Sequence, residues 1–143
     1  MKVTDIDPSI FSALAELPGN IEWFTEDGSG PIDAQATPGS VFLGVLDDNT
    51  AGAVAMQPIN SSAGHVHVVF HPNHREKTVL AAKELLKQLR IIVGDMTLFS
   101  FTPADNEAAL SLIKLLGWRE VGRLTRAHMR HMARHDMIIF EAN

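Results

Sequence analysis

The histidines offer the first chemistry. Seven are present, in two groups: His65, His67, His71 and His74, then His128, His131 and His135. An imidazole titrates near pH 6.5, so it can take or give a proton at neutral pH. His65 and His67 stand two residues apart in residues 64–70 (GHVHVVF), an alternating run that predicts a strand. Strand side chains alternate, which puts both rings and Val69 on one face and Val66 and Val68 on the other. No Asp or Glu lies between Asp48 and Glu76. Histidine is therefore the only titratable candidate base on this strand, and a pair of partly exposed sheet histidines is the plainer alternative. The four imidazoles could also offer nitrogens to a metal. Their spacing fits no compact metal motif, and no cysteine or nearby carboxylate completes a set, so no metal is expected.

Composition removes other chemistries. The chain has 143 residues and no cysteine, which excludes a thiol nucleophile, a disulfide and a thiolate metal site. It also has no tyrosine. A length of 143 residues suits one domain. Apolar residues at 45% and charged residues at 20% suit a compact globular protein. The net charge of −5 is unevenly spread. Residues 1–74 hold one basic residue, Lys2, against nine acidic ones, and residues 75–143 hold eleven basic against eight acidic. A uniformly basic nucleic-acid binder is not expected. A small anion held by the second half fits better.

The second histidine group lies in TRAHMRHMARHD, residues 125–136, where Arg126, Arg130 and Arg134 recur every four residues. It reads as a basic, solvated connection between two strands, with a grip on phosphate, nucleic acid or an acidic partner as the alternative. Met129, Met132 and Met137, with Trp23, Phe24 and Phe42, read mostly as core, and otherwise as a substrate slot or interface.

The elements that must position these residues follow from periodicity. A short helix is expected over 9–17, with Asp7 or Ser9 near its N-cap and Pro18-Gly19 stopping it. Strands are expected over 41–46 and 51–57, joined by a turn at 47–50, and over 64–70, ended by Pro72. A helix over 78–91 places Leu80, Leu85, Leu86 and Leu89 toward the core. A strand over 95–101, a helix from Pro103 or Asp105 to Leu116 closed by Gly117, and strands over 118–124 and 136–140 complete the order. Residues 25–40, rich in Gly and Pro, read as a long surface loop. Strand–helix–strand units behind a hairpin predict an α/β fold with a mixed, mostly antiparallel sheet flanked by helices. The first residues lack the pattern of a signal peptide, and no apolar run could span a bilayer. Location in the cytoplasm, or in an assembly built there, is expected, with no membrane partner.

Two segments carry a family resemblance. VFHPNHREKTVLAAKELL, from Val69 to Leu86, resembles the strand, turn and helix that hold acyl-CoA in the GNAT N-acetyltransferase superfamily. NEAALSLIKLLGW, from Asn106 to Trp118, is similar to that family's second helix, with Asn106, Ala109, Gly117 and Trp118 at the matching places. The resemblance runs from about residue 41 to the end and implies one GNAT-like domain over 1–143. It implies acetyl-CoA as cofactor, an amine as acceptor, and transfer of an acyl group between them. Cofactor contacts would fall at Phe70, Arg75, Glu76, Lys77, Thr78, Val79, Leu80 and Asn106, with His67 as favoured base and His65 second. A turn of this kind would aim unpaired helix amides at a diphosphate.

Three positions depart from the family pattern. Thr78 and Leu80 stand where small residues let a diphosphate approach, and Ile113 stands where many members place a tyrosine acid. They support a rival: a protein that keeps the fold without the chemistry, as a bacteriophage virion or assembly component docking to phage structural proteins. The resemblance is divergent in a way that suits a phage protein, and an oligomer stays open.

Overall fold

The computed structural model describes residues 1–24 and 37–142. Of the loop expected over 25–40, residues 25–36 therefore lie outside the described residues. Strands β1 (Lys2–Asp5), β2 (Val41–Asp47), β3 (Thr50–Pro58), β4 (Ala63–Arg75), β5 (Thr97–Pro103), β6 (Arg119–Arg130) and β7 (Ala133–Glu141) make one sheet. Its order is β1-β2-β3-β4-β5-β7-β6. Every neighbouring pair is antiparallel except β4 and β5. Helices α1 (Pro8–Glu16), α2 (Ile21–Phe24), α3 (Thr78–Val93) and α4 (Glu107–Leu115) complete the fold. This is the mixed, mostly antiparallel sheet with flanking helices that the periodicity predicts.

Strand alternation divides the core between two faces. Leu43, Val45, Val54, Met56 and Val66 pack against Ala81, Leu85 and Leu89 of α3. Their neighbours Phe42, Ala53, Ala55 and Val69 turn the other way, onto Phe11 and Ala15 of α1. Leu85 and Leu89 are fully buried, and each contributes about 2 kcal/mol through the apolar area it removes from water. Asp7 caps α1, its carboxylate accepting from the Ser9 N–H at 2.9 Å. Asn106 caps α4, accepting from the Ala109 N–H at 3.2 Å. Gly117 takes φ +77° just past the end of α4, the left-handed backbone a glycine adopts without strain. The Asn–x–x–Ala spacing and the closing glycine are thus the two caps of one helix.

Five features depart from the sequence reading: two elements that it does not name, and three expectations that are corrected. First, Lys2–Asp5 is a strand, held by antiparallel pairing with β2 from Lys2↔Leu46 to Asp5↔Leu43. Second, Ile21–Phe24 forms the short helix α2 inside a segment that shows no helical period. Third, β4 does not end at Pro72 but runs on to Arg75. Its ladder with β3 shifts register between Gly52↔Phe70 and Thr50↔Arg75. Pro72 falls inside that bulge, where its missing N–H breaks no ladder bond. Fourth, the basic segment is solvated as expected, exposed over 125–127 and 131–134, but it is not a separate connection between strands. It is the far half of a long hairpin, with His128↔His135 and Arg130↔Ala133 paired across it. Its two-residue turn holds His131 and Met132 at φ 51° and 60°, and Met132 is 94% exposed rather than core. Fifth, Leu80 is not a core residue: it lies 50% exposed on the first turn of α3.

Candidate active site

The site begins where two strands part. β4 and β5 pair at only three positions, from Ala63↔Thr97 to His65↔Phe99. Above that point each follows its outer neighbour: β4 stays with β3 as far as Phe70, and β5 stays with β7 as far as Pro103. The parallel pair therefore opens into a fork, and a cleft of about 270 Å³ fills it. On the α3 face the walls are Leu86, Leu112, Ile113, Leu116 and Trp118. On the opposite face they are Gly19, Asn20, Trp23 and Phe24. Gly52 makes room for one lining residue, since a Cβ there would meet the Phe70 ring at 2.5 Å. Asn20 ties the helical side to the fork, its amide donating to the Phe70 carbonyl at 2.8 Å and to the Leu14 carbonyl at 2.9 Å.

His67 lines the cleft, and His65 stands behind it with ring centres 4.1 Å apart. The Phe24 ring lies 5.9 Å from His67. His65 stacks on Phe99 at 5.2 Å and an interplanar angle of 8°, with the Phe101 ring edge-on at 5.0 Å. Burial in this aromatic row disfavours the charged imidazolium. It pushes the pKa of His67 down to about 4, with the neighbouring His65 adding to the effect. Burial lowers His65 as well. Both rings are neutral at pH 7. The His65 Nε2 is buried with no hydrogen-bond partner.

The expected cofactor residues divide in two. Phe70, Arg75, Thr78 and Asn106 line the cleft. Glu76, Lys77, Val79 and Leu80 are not part of its lining. Lys77 points away, its ammonium 3.2 Å from the Asp47 carboxylate and its N–H donating to the Thr50 hydroxyl at 3.0 Å. Lys77 is the N-cap of α3, and no side chain caps that end. Ile113 lines the cleft at the place the resemblance gives to a tyrosine. Ser111 is exposed on the outer side of α4.

Sequence reading missed Ser100 and Arg130. The Ser100 hydroxyl is buried, lines the cleft and has no partner, yet a serine in a strand carries no signal of such a role. Arg130 reaches from the hairpin to α2 and to the turn between β5 and α4. Its guanidinium contacts Glu22 at 2.9 Å and Asp105 at 2.8 Å, and lies 4.0 Å from the centre of the Trp23 ring. Partial burial pushes the Asp105 carboxyl up, but Arg130 and the nearby His135 outweigh it and hold the group below its usual range. Among the described residues no three metal-ligating side chains come together. No described helix is long and apolar enough to cross a membrane.

No family model matches the chain, and no curated protein sequence matches it. Solved structures do. An N-acetyltransferase from Staphylococcus aureus Mu50 superposes with a TM-score of 0.73 at 15% identity, over 99% of this chain and 97% of that one. A putative acetyltransferase from Salmonella typhimurium, solved with its cofactor acetyl-CoA, gives 0.71 at 14% identity, over 99% and 92%. The ribosomal-protein-S18-alanine N-acetyltransferase from Escherichia coli gives 0.69 at 15% identity, over 99% and 92%. With one sheet forked between β4 and β5 and these superpositions along nearly its whole length, the chain has the fold of the GNAT N-acetyltransferases.

Proposed function

We propose that the chain is an N-acyltransferase, acting as one domain over 1–143 in the cytoplasm, which transfers an acetyl or related acyl group from acyl-CoA to an amine. The observation that carries the reading is the fork: a cleft between splayed strands with a neutral imidazole, His67, at its wall. Bound acyl-CoA would supply an activated thioester carbonyl. The fork fits the pantetheine arm of that cofactor. Beyond His65↔Phe99 the facing edges of β4 and β5 have no ladder partner, and the Ser100 hydroxyl waits beside them without a bond. An amide-rich arm satisfies such groups. At the mouth, Arg75 and Thr78 face the cleft and would meet the diphosphate, and Asn106 would border the arm. Phe70 would pack against the arm's apolar stretch. Glu76, Lys77, Val79 and Leu80 supply the turn's backbone rather than its lining.

His67 is the proposed base, with His65 behind it as the second candidate. Being neutral, His67 accepts a hydrogen bond from the amine and orients the nitrogen lone pair. It does not keep the proton at pH 7, so the proton passes on to solvent at the open side of the cleft. Ile113 offers the leaving sulfur no phenol.

Calorimetric titration with acetyl-CoA and with CoA tests the reading. Binding of both is expected, and Arg75→Ala should weaken it by about 1–3 kcal/mol, the worth of a charge-assisted contact. Absence of binding at millimolar ligand would overturn the proposal.

A second reading keeps the fold without the transfer, as a phage virion or assembly component. Leu80 exposed on the first turn of α3, Thr78 beside it and Ile113 in the cleft favour it. Co-purification with capsid or portal proteins is its test.

A further inference from the structure

A second cavity, of about 240 Å³, lies between α3 and the end of α4. Leu86, Leu116 and Trp118 line both it and the cleft, so the two adjoin. Leu98, buried at the start of β5, gives it an apolar floor. The rim is different in kind. Lys83, Lys87 and Arg90 all line it, and their spacing of four and then three residues puts them on one flank of α3. None of these three cations lines the cleft.

Among the described residues none of the three is in an ion pair. Arg90 donates from Nη1 to the carbonyls of Gly94, at 3.0 Å, and Met96, which fixes its guanidinium at the end of α3 without neutralising it. The acids of the adjoining segments are elsewhere. Glu84 and Asp95 do not line the cavity, and Glu141 is held by Arg119 at 3.3 Å. Ala142 completes the wall, and Asn143 after it lies outside the described residues. In a chain of net charge −5, three unmatched positive charges around an apolar floor are a local reversal. Lysine and arginine stay charged at neutral pH, and their stems can lie along apolar surface while their ends meet an anion. An inorganic anion would leave the floor uncovered, and a neutral apolar molecule would leave the cations unmatched. A ligand with both parts uses both.

We propose that this cavity is a binding site for a short aliphatic carboxylate, with its chain on Leu98, Leu116 and Trp118 and its carboxylate at Lys83, Lys87 and Arg90. The volume argues for a short chain, since 240 Å³ falls below the roughly 300 Å³ at which pockets for larger ligands begin. The ligand is bound and not transformed, so the proposal does not rest on the acyltransferase reading.

The test uses the full chain and octanoate. Trp118 lines the cavity and Trp23 is the other tryptophan, so Trp23→Phe leaves one fluorescent reporter, with thermal melting to confirm that each variant folds. Octanoate is expected to change the Trp118 emission saturably, with half-saturation at about 0.1–1 mM, the range open to a ligand of about ten heavy atoms. Replacing both lysines, Lys83→Gln with Lys87→Gln, should raise the half-saturation by about tenfold through loss of charge-assisted contacts. 1-Octanol should bind about tenfold more weakly for the same reason. Inorganic phosphate at the same concentration should not displace octanoate, and Arg75→Ala should leave the response unchanged. No saturable response at millimolar octanoate, equal binding of octanoate and 1-octanol, or displacement by phosphate would overturn the proposal. So would loss of the response in Arg75→Ala and not in the lysine pair, which would seat the carboxylate in the cleft. A response that appears only once Asn143 is removed would give the cavity to the chain's own last residue and overturn it too. Failure of acetyl-CoA to bind would sink the acyltransferase reading and leave this site standing.

Discussion

The wall raised beside the cleft by α3 and α4 is mostly aliphatic, whereas the opposite wall, from α2 with His67 and Phe101 of the sheet, is aromatic and is tied by ion pairs to the β6–β7 hairpin. In the first, α3 is anchored by Ala81, Ala82, Leu85 and Leu89, whereas α4 has no buried residue and brings Leu112 and Ile113 to the cleft. The second is pinned: Arg130, its side chain only 14% exposed, joins three elements distant in sequence through Glu22, Asp105 and Trp23. A long flexible arm can be held by a soft apolar trough and a few strand-edge groups. An amine that must meet a carbon within a fraction of an ångström needs rings and side chains that do not move.

The comparison can be broken from the pinned side first. His67→Ala should lower kcat/KM for acyl transfer by about a hundredfold or more, with acetyl-CoA affinity nearly unchanged, as expected if the imidazole serves the amine and not the donor. A drop in donor affinity of the same size would merge the two walls into one site. The next effect is on stability. The folded pKa of His67, about 4, lies below the unfolded value of about 6.5, so folding favours the neutral ring. Its contribution is complete above pH 6.5 and is lost as pH falls from there toward 4, by about 3 kcal/mol in all. Urea melts across that range should show the slope, and His67→Gln should flatten it.

Arg130→Met should cost about 2 kcal/mol at pH 7, because it leaves the half-buried Asp105 carboxylate without its partner. It should also raise KM for the amine while leaving acetyl-CoA binding alone. The smallest effects sharpen the comparison. Leu80→Ala should tighten acetyl-CoA binding by a few fold and change stability by less than about 0.5 kcal/mol, since the leucine is half exposed and alanine is the better helix former. Met132→Gly should stabilise the hairpin by about 0.5–1 kcal/mol by relieving a positive φ.

Local signals made much of the frame legible. The β2–β3 hairpin, the alternation of β4, the leucine period of α3 and the closing glycine of α4 all lie within a few residues of their causes, whereas the start of α4 falls at Asn106 and not at Pro103 or Asp105. So did the shared face of His65 and His67. What escaped depends on partners far along the chain. Lys2–Asp5 has one apolar residue and becomes a strand only because β2 lies beside it. Pro72 looks like a strand end until the bulge opposite Thr50–Gly52 removes the need for its N–H. The hairpin turn at His131 and Met132 has neither glycine nor asparagine, so nothing in it announces a reversal. Arg130 read as one of three repeating arginines, because Glu22 stands 108 residues away. Leu80 read as core because a helical period does not say where the sheet under the helix ends.

The alternation of β4 has one more consequence. Val66, Val68 and Phe70 face α3, and His65, His67 and Val69 face α1 and α2, so a single sheet thickness separates two sets of residues. Substitutions can accumulate on one set without passing through the other. A chain built this way can exchange its amine while its thioester stays the same, or keep its amine while its grip on the diphosphate changes at Thr78 and Leu80. In the proposed reading the strand parts the residues that would meet the thioester from those that would meet the amine.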